Sequence, residues 1–204
     1  MESSRKPTIF VSSAVYGFED MLDQIYAILD SLGFEVWMSH KGTVPIDPNQ
    51  SALGSCIASV EKCDYFLGII LPRYGSGKPD KEANSITHEE LLKAINLNKK
   101  RWILAHEHVV FAKNILKDLG YGTSEDRKKL TIKKGIPIQD LRVIDMLEIA
   151  MRHDIKLVKD RAGNWVQEFT EPKDANLFVS SQFRHVSEAT DFIEQNIVPR
   201  KGDK

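Results

Sequence analysis

Short apolar runs rich in β-branched and aromatic residues alternate along the chain with stretches whose apolar residues recur every three or four positions. Thr8-Ile9-Phe10-Val11-Ser12 is the first run, and its pattern predicts a buried strand. Met21, Leu22, Ile25, Ile28, Leu29 and Leu32 follow at helical spacing, with Gly33 as a stop. Residues 34–38 predict a second strand, residues 39–50 a loop rich in Gly, Pro and Asp, and residues 51–62 a second helix. Tyr65-Phe66-Leu67-Gly68-Ile69-Ile70-Leu71 is continuously apolar, as a parallel strand covered on both faces should be. Pro72-Arg73-Tyr74-Gly75 breaks it. A third helix over residues 85–95, a strand over 101–105 and a helix over 108–119 complete the series.

Strands alternating with helices call for an α/β fold with a parallel sheet. Right-handed crossovers favour a doubly wound, flavodoxin-like sheet in the order 2-1-3-4. Its ligand crevice opens between strands one and three, which brings Ser12, Ser13, Arg73, Tyr74 and the helix beginning at Ser85 around one cleft.

After Tyr121 the pattern changes. Residues 123–134 are charged and poor in large apolar groups, which predicts a mobile surface segment, and residues 138–153 read as a helix. Residues 156–159 and 165–169 flank a Gly-containing turn and predict a β-hairpin. Asp174 is placed to cap one helix, residues 189–197 form another, and the tail from Pro199 is expected to fray. The division is thus a first domain of residues 1–120 with a helical and hairpin C-terminal extension of residues 121–204 packed on it.

Composition narrows the function classes. With 42% hydrophobic and 28% charged residues the chain is that of an ordinary water-soluble globular protein. A formal net charge of -1 leaves no basic footprint, so neither nucleic acid nor an anionic membrane is expected as a partner. No apolar run approaches the roughly 18 residues of a membrane span, and the first residues carry no apolar signal region, so a cytoplasmic location is expected. Cys56 and Cys63 read as small buried apolar residues rather than a bridge. His106-Glu107-His108 offers only two imidazoles and no third partner, so no metal site is expected.

Asn84-Ser85-Ile86-Thr87-His88-Glu89-Glu90 supplies the chemistry, with two readings. Thr87 and Glu90 fit a capping box, in which both side chains serve the helix's own backbone; alternatively Glu90 is a carboxylate presented to the cleft. His88 reads as an exposed first-turn residue.

Phe10-Val11-Ser12-Ser13, Cys63-Asp64-Tyr65-Phe66-Leu67-Gly68-Ile69-Ile70, Arg73-Tyr74-Gly75 and Ser85-Ile86-Thr87 with Glu90 occur in order and at fitting spacing. Together they resemble the bacterial TIR-like family, divergent relatives of Toll/interleukin-1 receptor domains, over residues 8–120. The resemblance implies cleavage of NAD⁺ between nicotinamide and ribose, with release of ADP-ribose, a cyclised isomer or a base-exchange product. It implies a Thoeris-type antiphage role with a product-sensing effector as partner, and a homo-oligomer whose 39–50 loop completes a neighbour's site. No cofactor is needed, since NAD⁺ is the substrate. Glu90 matches the catalytic glutamate. Ser12 and Ser13 are then candidates for holding ribose or diphosphate, Tyr16, Phe18 or Trp37 for stacking on a base, and Arg73 for pairing with phosphate. The structural alternatives are a chain turn for the serines, a surface ion pair for Arg73 and a core position for Trp37. Ile86 stands where many enzymatic members carry Trp, and Ser39-His40 replaces an acidic residue often found there. Two other functions fit the pattern: a non-catalytic adaptor assembling through its loops, and an enzyme resembling nucleoside deoxyribosyltransferases.

Overall fold

A computed structural model describes residues 5–77, 83–132 and 137–197. Five parallel strands form one sheet in the order β2-β1-β3-β4-β5. They are β1 (Thr8–Ser13), β2 (Glu35–Trp37), β3 (Tyr65–Ile70), β4 (Lys100–His106) and β5 (Val166–Phe169). The helices are α1 (Glu19–Ser31), α2 (Ala52–Lys62), α3 (Ile86–Asn96), α4 (Glu107–Asp118), α5 (Ser124–Arg127), α6 (Arg142–Ala150) and α7 (Pro172–Ile197). This is the expected flavodoxin-like α/β arrangement, extended by a fifth strand drawn from beyond residue 120 and flanked by the C-terminal helix. The strand order reverses at β1, which pairs with β2 on one side and β3 on the other.

Period-two alternation distributes β1 between two cores. Ile9 and Val11 join Leu22, Ile25, Phe34, Val179 and Phe183 beneath α1 and α7. Phe10 turns the other way and joins Val60, Phe66, Leu91, Ala94 and Ile144 beneath α2, α3 and α6. Burying each such large side chain stabilises the fold by about 1.5–3 kcal/mol. Ser12 follows Phe10 by two positions, so its hydroxyl emerges on the α3 side. Gly68 pairs in register with Ser12, and a Cβ there would lie 2.9 Å from Ile103 Cδ1, so this central position has little space for a side chain.

Asp64, inside the second of the four sequence blocks, sits at the opposite end of the strands. Its carboxylate accepts from Thr8 N and Oγ1 at 2.8 and 2.9 Å and from Arg5 at 2.7 Å. Partial burial pushes its pKa up, but those partners outweigh it and hold the carboxyl below the ordinary carboxylate range. It ties β1 to β3 and lies away from the cleft.

Several local expectations are corrected. Residues 156–159 form no strand. Residues Val158–Asp160 make a 3-10 turn, and β5 pairs in parallel with β4 instead of closing a hairpin. Leu157 and Val158 stay 57% and 70% exposed, so that run had no apolar face to bury. The two expected C-terminal helices are one continuous α7. Residues 138–141 precede α6 as an irregular segment. Within residues 123–132 the expected mobile surface is anchored: Arg127 is 3% exposed and bonds Asp145 and Glu148 at 2.5 and 2.6 Å. Parts of the 75–83 and 123–134 segments, and the tail from Pro199, lie outside the described residues.

Candidate functional site

Helix α3 is entered through Ser85, which is extended (φ -70°, ψ 161°) and whose Oγ accepts from His88 N at 3.3 Å. This makes Ser85 the cap and places Glu90 one full turn inside the helix, beyond the reach of a capping box. The Thr87–Glu90 capping reading is therefore overturned. Glu89 is the carboxylate spent locally, accepting from Asn84 Nδ2 at 2.8 Å.

Glu90 turns towards the sheet. It is 4% exposed, and Ser12 Oγ donates to its Oε2 at 2.5 Å. The Cys56 thiol, from α2, lines the same cleft beside this carboxyl group. Burial pushes Glu90 up to about 7, while the Ser12 bond and the nearby Cys56 thiol favour its charged form and pull the other way. In return, burial and the neighbouring carboxylate push the Cys56 thiol up to about 12, so it remains neutral. Both cysteines are free and buried, as the sequence suggested.

Above Glu90 opens a cleft of about 620 Å³, at the carboxyl ends of β1 and β3 where the strand order reverses. Ser13 and Tyr16 come from the end of β1, Cys56 from α2, and Arg73 and Gly75 from the turn after β3. Ile86, Thr87 and Glu90 come from α3, and Gln139 from the segment before α6. Gly75 holds φ +86°, and a Cβ there would come 3.0 Å from Thr87 Oγ1, so this turn can lie close against α3. Clefts of similar size lie beside Asp145 and at the opposite end of the strands. The one above Glu90 combines a buried carboxyl group with the crevice at the reversal of strand order.

The sequence-predicted residues divide into two groups. Glu90, Ser12, Ser13, Arg73 and Tyr16 come together: Ser12 through its bond to Glu90, the others along the cleft wall. Tyr16 is 74% exposed at the rim, where an aromatic ring is free to stack. Arg73 Nη1 donates to Pro137 O at 2.8 Å, and among the described residues it has no carboxylate partner.

The remaining four stand apart from the cleft lining. Trp37 is core, 8% exposed beside Phe10 and Val44, with Nε1 donating to Glu35 at 2.9 Å. Phe18 packs edge-on against His106 with ring centroids 5.5 Å apart. Ser85 is fully buried as the cap. Tyr74 is 3% exposed, and its hydroxyl meets His88 Nδ1 at 2.6 Å and Asn84 Oδ1 at 3.2 Å.

His88 is buried rather than exposed, because the loop carrying Tyr74 folds over the first turn of α3. Burial keeps its basicity below that of a free imidazole. Cys56, Thr87, Ser39, Ser76 and Gln139 are lining residues that no sequence pattern marked as chemical. Cys56 was visible only as an inward position of a helix, and Gln139 carried no signal at all. His106 caps α4, accepting from His108 N at 3.1 Å. No group of three or more His, Cys, Asp or Glu suited to a metal ion occurs among the described residues, and no helix among them is long and apolar enough to cross a membrane.

Residues 8–184 match the family model described as "Domain of unknown function (DUF4062)". No curated protein matches the chain.

Proposed function

The chain belongs to the DUF4062 family, whose description assigns no activity, and from the chemistry of its cleft we propose a TIR-like enzyme that cleaves NAD⁺ and releases an ADP-ribose-derived signal. One observation carries this reading: Glu90 is buried at the floor of the cleft, is not used for capping, and is held by Ser12. Cleavage at the nicotinamide ribose needs no acid, because the cationic pyridinium leaves as a neutral molecule. What needs stabilisation is the positive charge developing on the sugar, and a fixed carboxylate in a low-dielectric site supplies it.

The raised pKa of Glu90 is compatible with that role. A pyridinium cation entering the cleft favours the ionised carboxylate, which offsets the desolvation that otherwise protonates it. When water or a ligand hydroxyl then attacks the anomeric carbon, it must lose a proton, and a carboxylate titrating near 7 is a suitable acceptor. Arg73 and Ser13 line the same cleft and are placed to take diphosphate oxygens, and Tyr16 offers a stacking surface. An antiphage setting, a product-sensing effector and a homo-oligomer follow from the same resemblance and stand as parts of the proposal.

Ile86, lining the cleft in place of an aromatic residue, favours the second reading of a non-catalytic assembly module. Incubation of the chain with NAD⁺, with nicotinamide release followed by chromatography, separates the two. Release that disappears in Glu90→Gln supports the enzyme. Concentration-dependent assembly without NAD⁺ binding supports the module.

A further inference from the structure

The segment between α5 and α6 also reaches the cleft. Pro137 O accepts from Arg73 Nη1 at 2.8 Å, and Gln139 N donates to Pro72 O at 3.3 Å, so the turn after β3 holds this segment from both sides. Ile138, between them, is 6% exposed and anchored in the core beneath α6. Asp140 receives Arg142 Nε at 3.0 Å and Nη2 at 2.7 Å. Arg142 in turn donates to Ala83 O at 2.8 Å and lies 4.4 Å from the centroid of the Tyr74 ring. Residues 137–142 are thereby fastened to both loop ends that flank the entrance to α3.

Gln139 is the exception to this fastening. Its backbone is held, it is exposed, and among the described residues no protein group hydrogen-bonds its side-chain amide. Gln139 lines both the Glu90 cleft and the cleft beside Asp145, and among the described residues it is the one lining residue of the Glu90 cleft contributed from beyond α3. A segment held by two backbone hydrogen bonds thus brings a neutral donor–acceptor side chain to a cleft whose other polar side chains carry hydroxyls, one thiol, one guanidinium and one carboxyl.

We propose that Gln139 is a specificity-determining residue, whose side-chain amide hydrogen-bonds a planar donor–acceptor edge on the ligand bound above Glu90. The proposal rests on the dinucleotide reading of the cleft, and a dinucleotide carries two such edges: the carboxamide on its pyridine ring and the amino edge of its adenine. A Gln side chain offers one carbonyl acceptor and two N–H donors in a plane, and so matches either edge. A site arranged to bond such an edge rejects an analogue lacking it, because the site's own polar group is left unpaired.

The test is equilibrium binding by calorimetry in a Glu90→Gln background, so that nothing turns over. The probes are NAD⁺, its analogue with carboxylate in place of the pyridine carboxamide, and its analogue with hypoxanthine in place of adenine. The parent is expected to discriminate against one analogue by roughly three- to tenfold, as for one net hydrogen bond. Gln139→Leu is expected to erase that ratio, weaken NAD⁺ by a similar factor and leave the other analogue's ratio unchanged. The analogue affected identifies the edge. A parent that discriminates against neither analogue overturns the proposal, as does a Gln139→Leu chain that keeps the parent's ratios. Nicotinamide release by the chain with Glu90 intact is scored separately. Its absence, with binding and discrimination preserved, retires the cleavage reaction and leaves Gln139 standing, whereas failure of every dinucleotide to bind retires both.

Discussion

Glu90 concentrates the energetic tension of the site in one side chain. Its ordinary value of 4.5 is pushed up to about 7 by burial, in spite of the Ser12 bond and the nearby Cys56 thiol. Between those values the folded chain holds a proton that the unfolded chain has lost. Stability therefore falls as pH rises across that window, and the full penalty stands above it. The shift corresponds to a cost on the order of 3 kcal/mol at most. Glu90→Gln keeps the shape without the charge, so it is expected to be more stable than the parent at pH 8 and to approach the parent as pH falls towards 5. Urea unfolding at both pH values measures this. A variant no more stable than the parent at pH 8 would mean that the protein already compensates the carboxylate fully. The identity of this residue was legible in the sequence, but its burial was not, because burial comes from β1 and α2, which are distant in the chain.

At the scale of elements, the entrance to α3 decides where Glu90 points. Ser85 and Thr87 are both hydroxyl residues ahead of an apolar run, and either satisfies the local capping pattern. The choice is made by the extended backbone at Ser85, whose Oγ accepts from His88 N. Ser85→Ala is expected to cost about 1 kcal/mol through loss of the cap, whereas Thr87→Ala leaves the cap intact and costs less. Paired denaturation curves check the difference, and the reverse ranking would restore the capping box. The parallel strands were legible for a related reason: a continuous apolar run such as residues 65–70 has few other uses. Residues 156–159 carried only two apolar residues and met no sheet face, while the free edge of β4 was taken by β5.

For the molecule as a whole, the residues beyond 120 supply the fifth strand, the long helix over one face of the sheet and one lining residue of the cleft, Gln139. Arg127 fixes part of this region, since its guanidinium, 3% exposed, serves both Asp145 and Glu148. Arg127→Met leaves two carboxylates facing each other without a cation and is expected to cost about 3 kcal/mol, read as a fall in unfolding midpoint. A neutral outcome would show that the pair contributes only geometry. None of this long-range assembly was readable from local pattern, because charged residues such as Arg127 look like surface until their partners are known.

The proposed activity depends on Glu90 acting on a bound sugar, and mass spectrometry of NAD⁺ incubated with the chain tests it most directly. The result predicted is nicotinamide together with ADP-ribose, its cyclic isomer or a base-exchange product. That product should be abolished in Glu90→Gln while the variant remains folded. Turnover that survives Glu90→Gln, or NAD⁺ recovered unchanged from the parent at every concentration and in the presence of assembly partners, would contradict it.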